Sequence, residues 1–282
     1  MVPETQPENR SGTAPLTPPE ATAPLPLDAY PPAQVAAIVE SVGVKKAELP
    51  IVQTAMLGLL AGAFIAFGAM FYSLTITGST LGFGPTRLLG GVAFSLGLVL
   101  VVVAGAELFT GNNLIVMAWV SGKITLKQVF RNWGIVYLAN AFGAAGCAVL
   151  FFLAGGSGLG GGALGETTVR IAEAKAALSL SEAFFLGILC NTLVCMAVWL
   201  CMAAREVVSK VFAIVFPISA FVALGFEHSV ANFYFFSMGT LAGGEFGFGA
   251  STANLTAVTL GNVLGGGSVA LVYWICYLQR AE

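Results

Sequence analysis

Six long apolar runs separated by short polar stretches set the plan of the chain: roughly 51–77, 88–119, 132–154, 183–204, 211–238 and 256–278. A helix crosses the bilayer hydrocarbon in about 20 residues, so each run predicts one crossing. The second and fifth runs exceed that need, and each carries a glutamate midway, Glu107 and Glu227. These two are expected to be interrupted. Ahead of them Ala33, Val35, Ala36, Ile38, Val39 and Val42 make one apolar face, with Lys45 and Lys46 near its end. That pattern predicts a short amphipathic helix, lying on the membrane surface or on the protein's own base. Nine of the twelve prolines fall within the first 32 residues, so the start of the chain cannot bury a core and is expected to be disordered. The predicted organisation is a tail over 1–30, an interfacial helix over 31–50, and an all-α transmembrane domain of six helices over 51–282.

Composition supports this plan. Of 282 residues, 57% are hydrophobic and only 9% charged, against about 25% charged in soluble domains. A net charge of -2 with scattered basic residues leaves no footprint for nucleic acid. Cys147, Cys190, Cys195, Cys201 and Cys276 lie in apolar segments without a Cys-x-x-Cys pair, and read as packing residues. With a single histidine, a His-rich or His-Glu-x-x-His metal site is excluded, and no metal or cofactor is expected. No charged start followed by an apolar core marks a signal peptide. Gly156-x-Gly158-x-x-Gly161 matches a dinucleotide fingerprint but follows an apolar crossing rather than a strand, so Gly155 to Gly165 reads as a flexible outer loop.

Basic residues orient the crossings. If both termini are cytoplasmic, the inner set is Arg10, Lys45, Lys46, Lys123, Lys127, Arg131, Arg205, Lys210 and Arg280, and the outer set is Arg87, Arg170 and Lys175. This asymmetry predicts that both termini face the cytoplasm, and the expected location is the plasma (inner) membrane.

An internal repeat runs through the apolar segments. Gly105 to Asn112 and Gly225 to Asn232 both read Gly-x-Glu-x4-Asn, 120 residues apart. Asn140-x-x-Gly143 returns as Asn262-x-x-Gly265, 122 residues on. Three crossings repeated in this way insert from opposite sides, and such inverted 3+3 repeats hold broken helices and a substrate site near the midplane. His228, the one histidine, lies beside Glu227 at the second break, where an ionisable group costs about 2.5–3.5 kcal/mol on insertion scales. Glu107 and Glu227 read first as structural groups, accepting N–H bonds freed at the breaks. Asn140, Asn191 and Asn262 read as links between helices.

The motifs resemble those of the formate/nitrite transporter family of small monovalent anion channels. The resemblance is carried by Phe94-Ser95-Leu96-Gly97-Leu98, Gly105 to Asn112, Leu186-Gly187-Ile188-Leu189-Cys190-Asn191, Gly225 to Asn232, and Gly261 to Gly267, in order. It implies an aquaporin-like protomer with its own pore, assembled as a homopentamer in membrane lipid and passing formate, nitrite or hydrosulfide. By position, His228 is implied as the central pore residue with Thr110 its hydrogen-bonding neighbour, and Asn191 and Asn232 as polar residues nearby. Phe94, Leu98, Phe109, Val194 and Phe221 match apolar constrictions, Lys175 matches an outer-vestibule lysine, and Glu107, Asn112 and Asn262 fall at the breaks.

Apolar constrictions would stop an ion, whose dehydration costs tens of kcal/mol in the idealised limit, yet pass a neutral acid at about a few kcal/mol. On this reading Lys175 draws the anion in, and His228, held by Thr110, donates a proton or a hydrogen bond, so that transport is proton-coupled. In the competing version His228 stays neutral and the proton comes from bulk water. A hydrosulfide channel, or a lactate or acetate channel of the same family, would carry the same motifs. A water or polyol channel would share the repeat, but Asn-Pro-Ala is absent at both breaks. An intramembrane hydrolase would need a nucleophile beside a base or paired metal carboxylates, and neither pattern occurs, so no enzyme activity is expected.

Overall fold

The computed structural model describes residues 29–279. The predicted tail lies, through residue 28, outside the described residues, as does Arg280. Every regular element among the described residues is helical: α1 (Pro32–Glu48), α2 (Ile51–Ile76), α3 (Phe83–Ala104), α4 (Val116–Val120), α5 (Leu126–Leu153), α6 (Ala163–Ala176), α7 (Leu180–Ala203), α8 (Val207–Leu224), α9 (Ser229–Leu241) and α10 (Phe248–Tyr277). Six of them, α2, α3, α5, α7, α8 and α10, are long and apolar enough to cross a membrane.

Both expected interruptions are present. α3 stops at Ala104, Gly105 turns left-handed at φ 81°, and helix resumes only in a 3-10 turn over Gly111–Ile115 that runs into α4. α8 stops at Leu224, Gly225 turns at φ 76°, and α9 begins at Ser229. Glycine holds this conformation freely, whereas a β-carbon there costs about 1–2 kcal/mol.

The boundaries differ from the apolar runs in an informative way. α5 begins at Leu126 and α10 at Phe248, ahead of the runs at 132 and 256, because their first turns are polar and stand beyond the greasy part of the helix. A capping box starts α5: the Gln128 N–H donates to the Thr125 hydroxyl while the Gln128 side chain accepts from the Thr125 N–H. The stretch read as a flexible loop instead holds a 3-10 turn over Gly156–Gly158 and the beginning of α6. α6 escapes an apolar-run reading because it is short and half polar.

α1 packs on the protein itself. Val35, Ala36 and Val39 are buried against Leu114, Met117, Trp199 and Val269, and Glu40 pairs with Lys123. Helix contacts elsewhere are close: a β-carbon on Gly62 would stand 2.1 Å from the Asn140 carbonyl oxygen, and one on Gly261 would stand 2.2 Å from that of Phe184. Gly62 and Gly261 therefore serve α2–α5 and α7–α10 packing within the chain. Phe142, Leu150, Leu153 and Phe216 point outward and are about 70% exposed, a surface suited to lipid or another subunit rather than water.

Candidate functional site

The two breaks are built by one hydrogen-bond scheme used twice. At the first, the Asn140 amide donates to the Gly58 carbonyl at 2.7 Å and to the Glu107 carbonyl at 2.9 Å, while its oxygen accepts from the Phe109 N–H at 2.9 Å. At the second, Asn262 donates to the Gly187 carbonyl at 2.8 Å and to the Glu227 carbonyl at 2.9 Å, and accepts from the Ser229 N–H at 3.0 Å. Backbone freed from helical bonding is thus satisfied by asparagines from neighbouring helices. The glutamates do something other than what the sequence suggests. Their carboxylates bind side chains, and it is the asparagines that tie down the backbone.

Glu107 accepts from Lys46 Nζ at 2.5 Å and from Asn112 at 2.6 Å; Asn112 also donates to Asn132 at 3.0 Å, and Asn132 to the Lys46 carbonyl at 3.1 Å. Glu227 accepts from Lys175 Nζ at 2.7 Å and from Asn232 at 2.7 Å; Asn232 also donates to Asn254 at 2.9 Å, and Asn254 to the Lys175 carbonyl at 2.8 Å. Lys46, Asn132 and Asn254 were not singled out as site residues. Asn132 and Asn254 stand 122 apart, the offset of Asn140 and Asn262, so a third repeat match was there to be read. The lysines are 129 apart and on short helices, which hides their equivalence.

The halves diverge where the chemistry sits. His228 Nε2 lies 2.9 Å from the Thr110 hydroxyl, across the two breaks. At the repeat-equivalent positions, 120 residues away in each case, stand Leu108 and Val230. Asn191 donates to the Thr110 carbonyl at 3.2 Å, to Asn113 Oδ1 at 2.9 Å and to the Asn262 carbonyl at 2.6 Å. Its equivalent in α2 is Gly62, where no side chain would fit. A symmetric scaffold thus carries an asymmetric polar centre.

The imidazole's tautomer follows from its bonds. As the cap of α9, His228 accepts the Ala231 N–H on Nδ1 at 3.1 Å, so Nδ1 carries no proton. The ring proton then sits on Nε2 and is donated to Thr110, whose own hydroxyl proton remains available to another acceptor.

His228 faces a cavity of about 440 Å³ that Phe94, Phe221, Tyr72, Lys175 and Arg87 also line. Phe94 and Phe221 meet edge to face at 5.7 Å between centroids, and Phe221 stacks on the imidazole at 6.0 Å. Leu98, Phe109 and Val194 are buried in the same apolar cluster but do not line this cavity. Thr110, Asn191 and Asn232 also stand back from it, while Glu227 reaches its wall. A smaller cavity of about 30 Å³ lies between α1 and the 3-10 turn, walled by Val39, Lys46, Gly111 and Met202. Among the described residues no cluster of His, Cys, Asp and Glu could hold a metal ion.

Comparison with known proteins gives one consistent result. The sequence model of the formate/nitrite transporter family matches residues 33–275. The formate channel FocA of Escherichia coli strain K12 is 40% identical over 278 residues, covering 91% of this chain and 98% of the relative. A probable formate transporter of Methanothermobacter thermautotrophicus is 36% identical, covering 88% and 97%. Among solved structures, a pentameric formate channel with formate bound superposes with a TM-score of 0.74 at 37% identity, over 81% of this chain and 98% of the other. An ion channel described as of the FNT family superposes with a TM-score of 0.80 at 28% identity, over 86% and 98%.

Proposed function

This chain belongs to the formate/nitrite transporter family, a multi-pass membrane transport protein rather than an enzyme, and we propose that it passes formate as the neutral acid through a pore in each protomer of a homopentamer. Formate is the substrate named for the K12 relative and bound in the solved pentamer, and both align over most of this chain. Both termini are taken as cytoplasmic in a plasma membrane, on the distribution of basic residues.

The observation that carries the reading is the Thr110–His228 contact at 2.9 Å, whose imidazole stacks on the Phe221 ring of the Phe94–Phe221 edge contact. An anion pressed between two phenyl rings loses its water and gains nothing comparable. Formic acid loses only hydrogen bonds, and beyond the rings the free hydroxyl proton of Thr110 offers one back. Leu98, Phe109 and Val194 supply the further apolar passage. Asn191 holds the Thr110 backbone, and Glu227, Lys175, Asn232, Glu107, Asn112 and Asn262 hold the two breaks in register.

The geometry favours the version in which His228 stays neutral. Its only proton is the one donated to Thr110, and giving that away would leave an imidazolate. A second proton on Nδ1 would displace the Ala231 N–H and uncap α9. The proton that neutralises formate therefore comes from water in the vestibule, and His228 relays a hydrogen bond.

Purified protein in proteoliposomes tests this function. Formate uptake above that of protein-free vesicles is expected, with nitrite and hydrosulfide competing more strongly than acetate or lactate. Vesicles that take up none of these would end the reading.

A further inference from the structure

Lys175 is the residue that sequence reasoning assigned to drawing the anion in, yet its ammonium stands 2.7 Å from the Glu227 carboxylate. An approaching anion meets that pair as a dipole, whose field falls off faster than that of a charge. Arg87 differs. It starts on α3 and reaches the broken end of α8, where Nε donates to the Ala223 carbonyl at 2.9 Å and Nη2 to the Val222 carbonyl at 3.3 Å. Both acceptors are neutral, and no described carboxylate pairs with it. The guanidinium lines the same cavity as His228, Phe94 and Phe221.

Its placement answers an electrostatic problem made by the break. The last carbonyls of a helix carry about half a negative charge, and those of α8 end beside this cavity. Left bare, they would repel the anion that the pore must admit. A guanidinium seated on them reverses the local sign and keeps most of its five N–H donors free. The seat is shaped for it: Arg87 Cζ lies 5.6 Å from the centroid of the Phe83 ring, and a β-carbon on Gly225 would stand 2.7 Å from Nη2. Gly225 therefore serves both its left-handed turn and the approach of Arg87. Arg170 is on the same wall, but it is exposed to water and donates to the Thr167 hydroxyl.

We infer that Arg87, rather than Lys175, supplies the net positive charge that brings the anion into the vestibule; this rests on the transport function proposed above. Arg87 acts on capture, not on passage through the rings. Its removal is expected to change the concentration for half-maximal flux and leave the maximal flux nearly untouched.

The test is formate uptake into proteoliposomes at ionic strengths from about 10 mM to about 0.5 M, set with an impermeant salt, a range over which the screening length shrinks several-fold. For Arg87→Gln the half-saturating concentration is expected to rise about fivefold at low salt, the gap closing to under about twofold at high salt. Maximal flux should stay within about twofold of wild type, and Arg87→Lys should recover most of the loss. An unchanged half-saturating concentration, or a fall in maximal flux alone, would overturn the inference. If the glutamine variant does not assemble, the wild type decides: a half-saturating concentration that does not rise with salt overturns it equally. Failure of the transport reading would look different, because the wild type itself would then carry no formate.

Discussion

Asn140 and Asn262 do the same task at the two breaks: each spans a helix carbonyl, a carbonyl at a break and the N–H two residues beyond it with one side-chain amide. Neither can be replaced by a residue with fewer than two donors and an acceptor. Asn140→Ala or Asn262→Ala leaves three buried backbone groups without partners, at about 1–3 kcal/mol each. Either change is expected to lower the thermal midpoint and destabilise the assembly in detergent, and Asn→Asp, which removes both donors, should do no better. Circular dichroism melts with size-exclusion profiles check this.

The glutamates should behave as halves of ion pairs. Glu107 and Glu227 side chains are 7% and 5% exposed, so removing the lysine opposite leaves a buried, unpaired carboxylate. Breaking a buried pair from one side costs about 3–5 kcal/mol. Lys46→Met and Lys175→Met are therefore expected to destabilise strongly, and adding Glu107→Gln or Glu227→Gln should recover much of that loss. A double-mutant cycle on the melting midpoint measures the recovery; simple additivity would deny the pairing.

Thr110 is expected to matter through its hydroxyl. Thr110→Val keeps the shape but leaves His228 Nε2–H without an acceptor and the passing acid without a donor. Formate flux should fall at least about tenfold, in line with about 1–3 kcal/mol for a buried donor left unsatisfied. Thr110→Ser, which keeps the oxygen, should retain most of the flux. Equal rates for all three proteins would remove Thr110 from the path.

Phe94 and Phe221 are expected to set what cannot pass. Phe94→Ala or Phe221→Ala opens the edge-to-face contact at 5.7 Å and admits water between the constrictions. Flux of acetate and lactate should rise relative to formate, and part of the formate current should become electrical. Planar-bilayer recordings beside uptake assays separate these effects.

Much of this arrangement was legible in the sequence because the bilayer constrains it. Six apolar runs, two of them too long and carrying a glutamate, announce six crossings with two interruptions, and Gly105 and Gly225 mark where those interruptions fall. The Asn140/Asn262 match could be read because both residues sit in otherwise apolar helices. What stayed hidden depends on distance along the chain. Lys46 meets Glu107 across 61 positions and Arg87 meets the α8 carbonyls across 135 and 136, and no periodicity links them. α6 was missed because a short, half-polar helix beside the His228 cavity has no apolar run to show. Lys175 was placed in the vestibule, but its partner could not be seen, and the partner changes what the lysine can do.

The central claim is that the substrate crosses uncharged while His228 stays neutral. The most direct measurement is formate uptake into proteoliposomes with the membrane potential clamped by a potassium gradient and valinomycin, with internal and external pH recorded together. The account expects a rate independent of the clamped potential, one proton entering with each formate, and faster uptake as the external medium is acidified. A rate that follows the potential, with no accompanying proton, would contradict it.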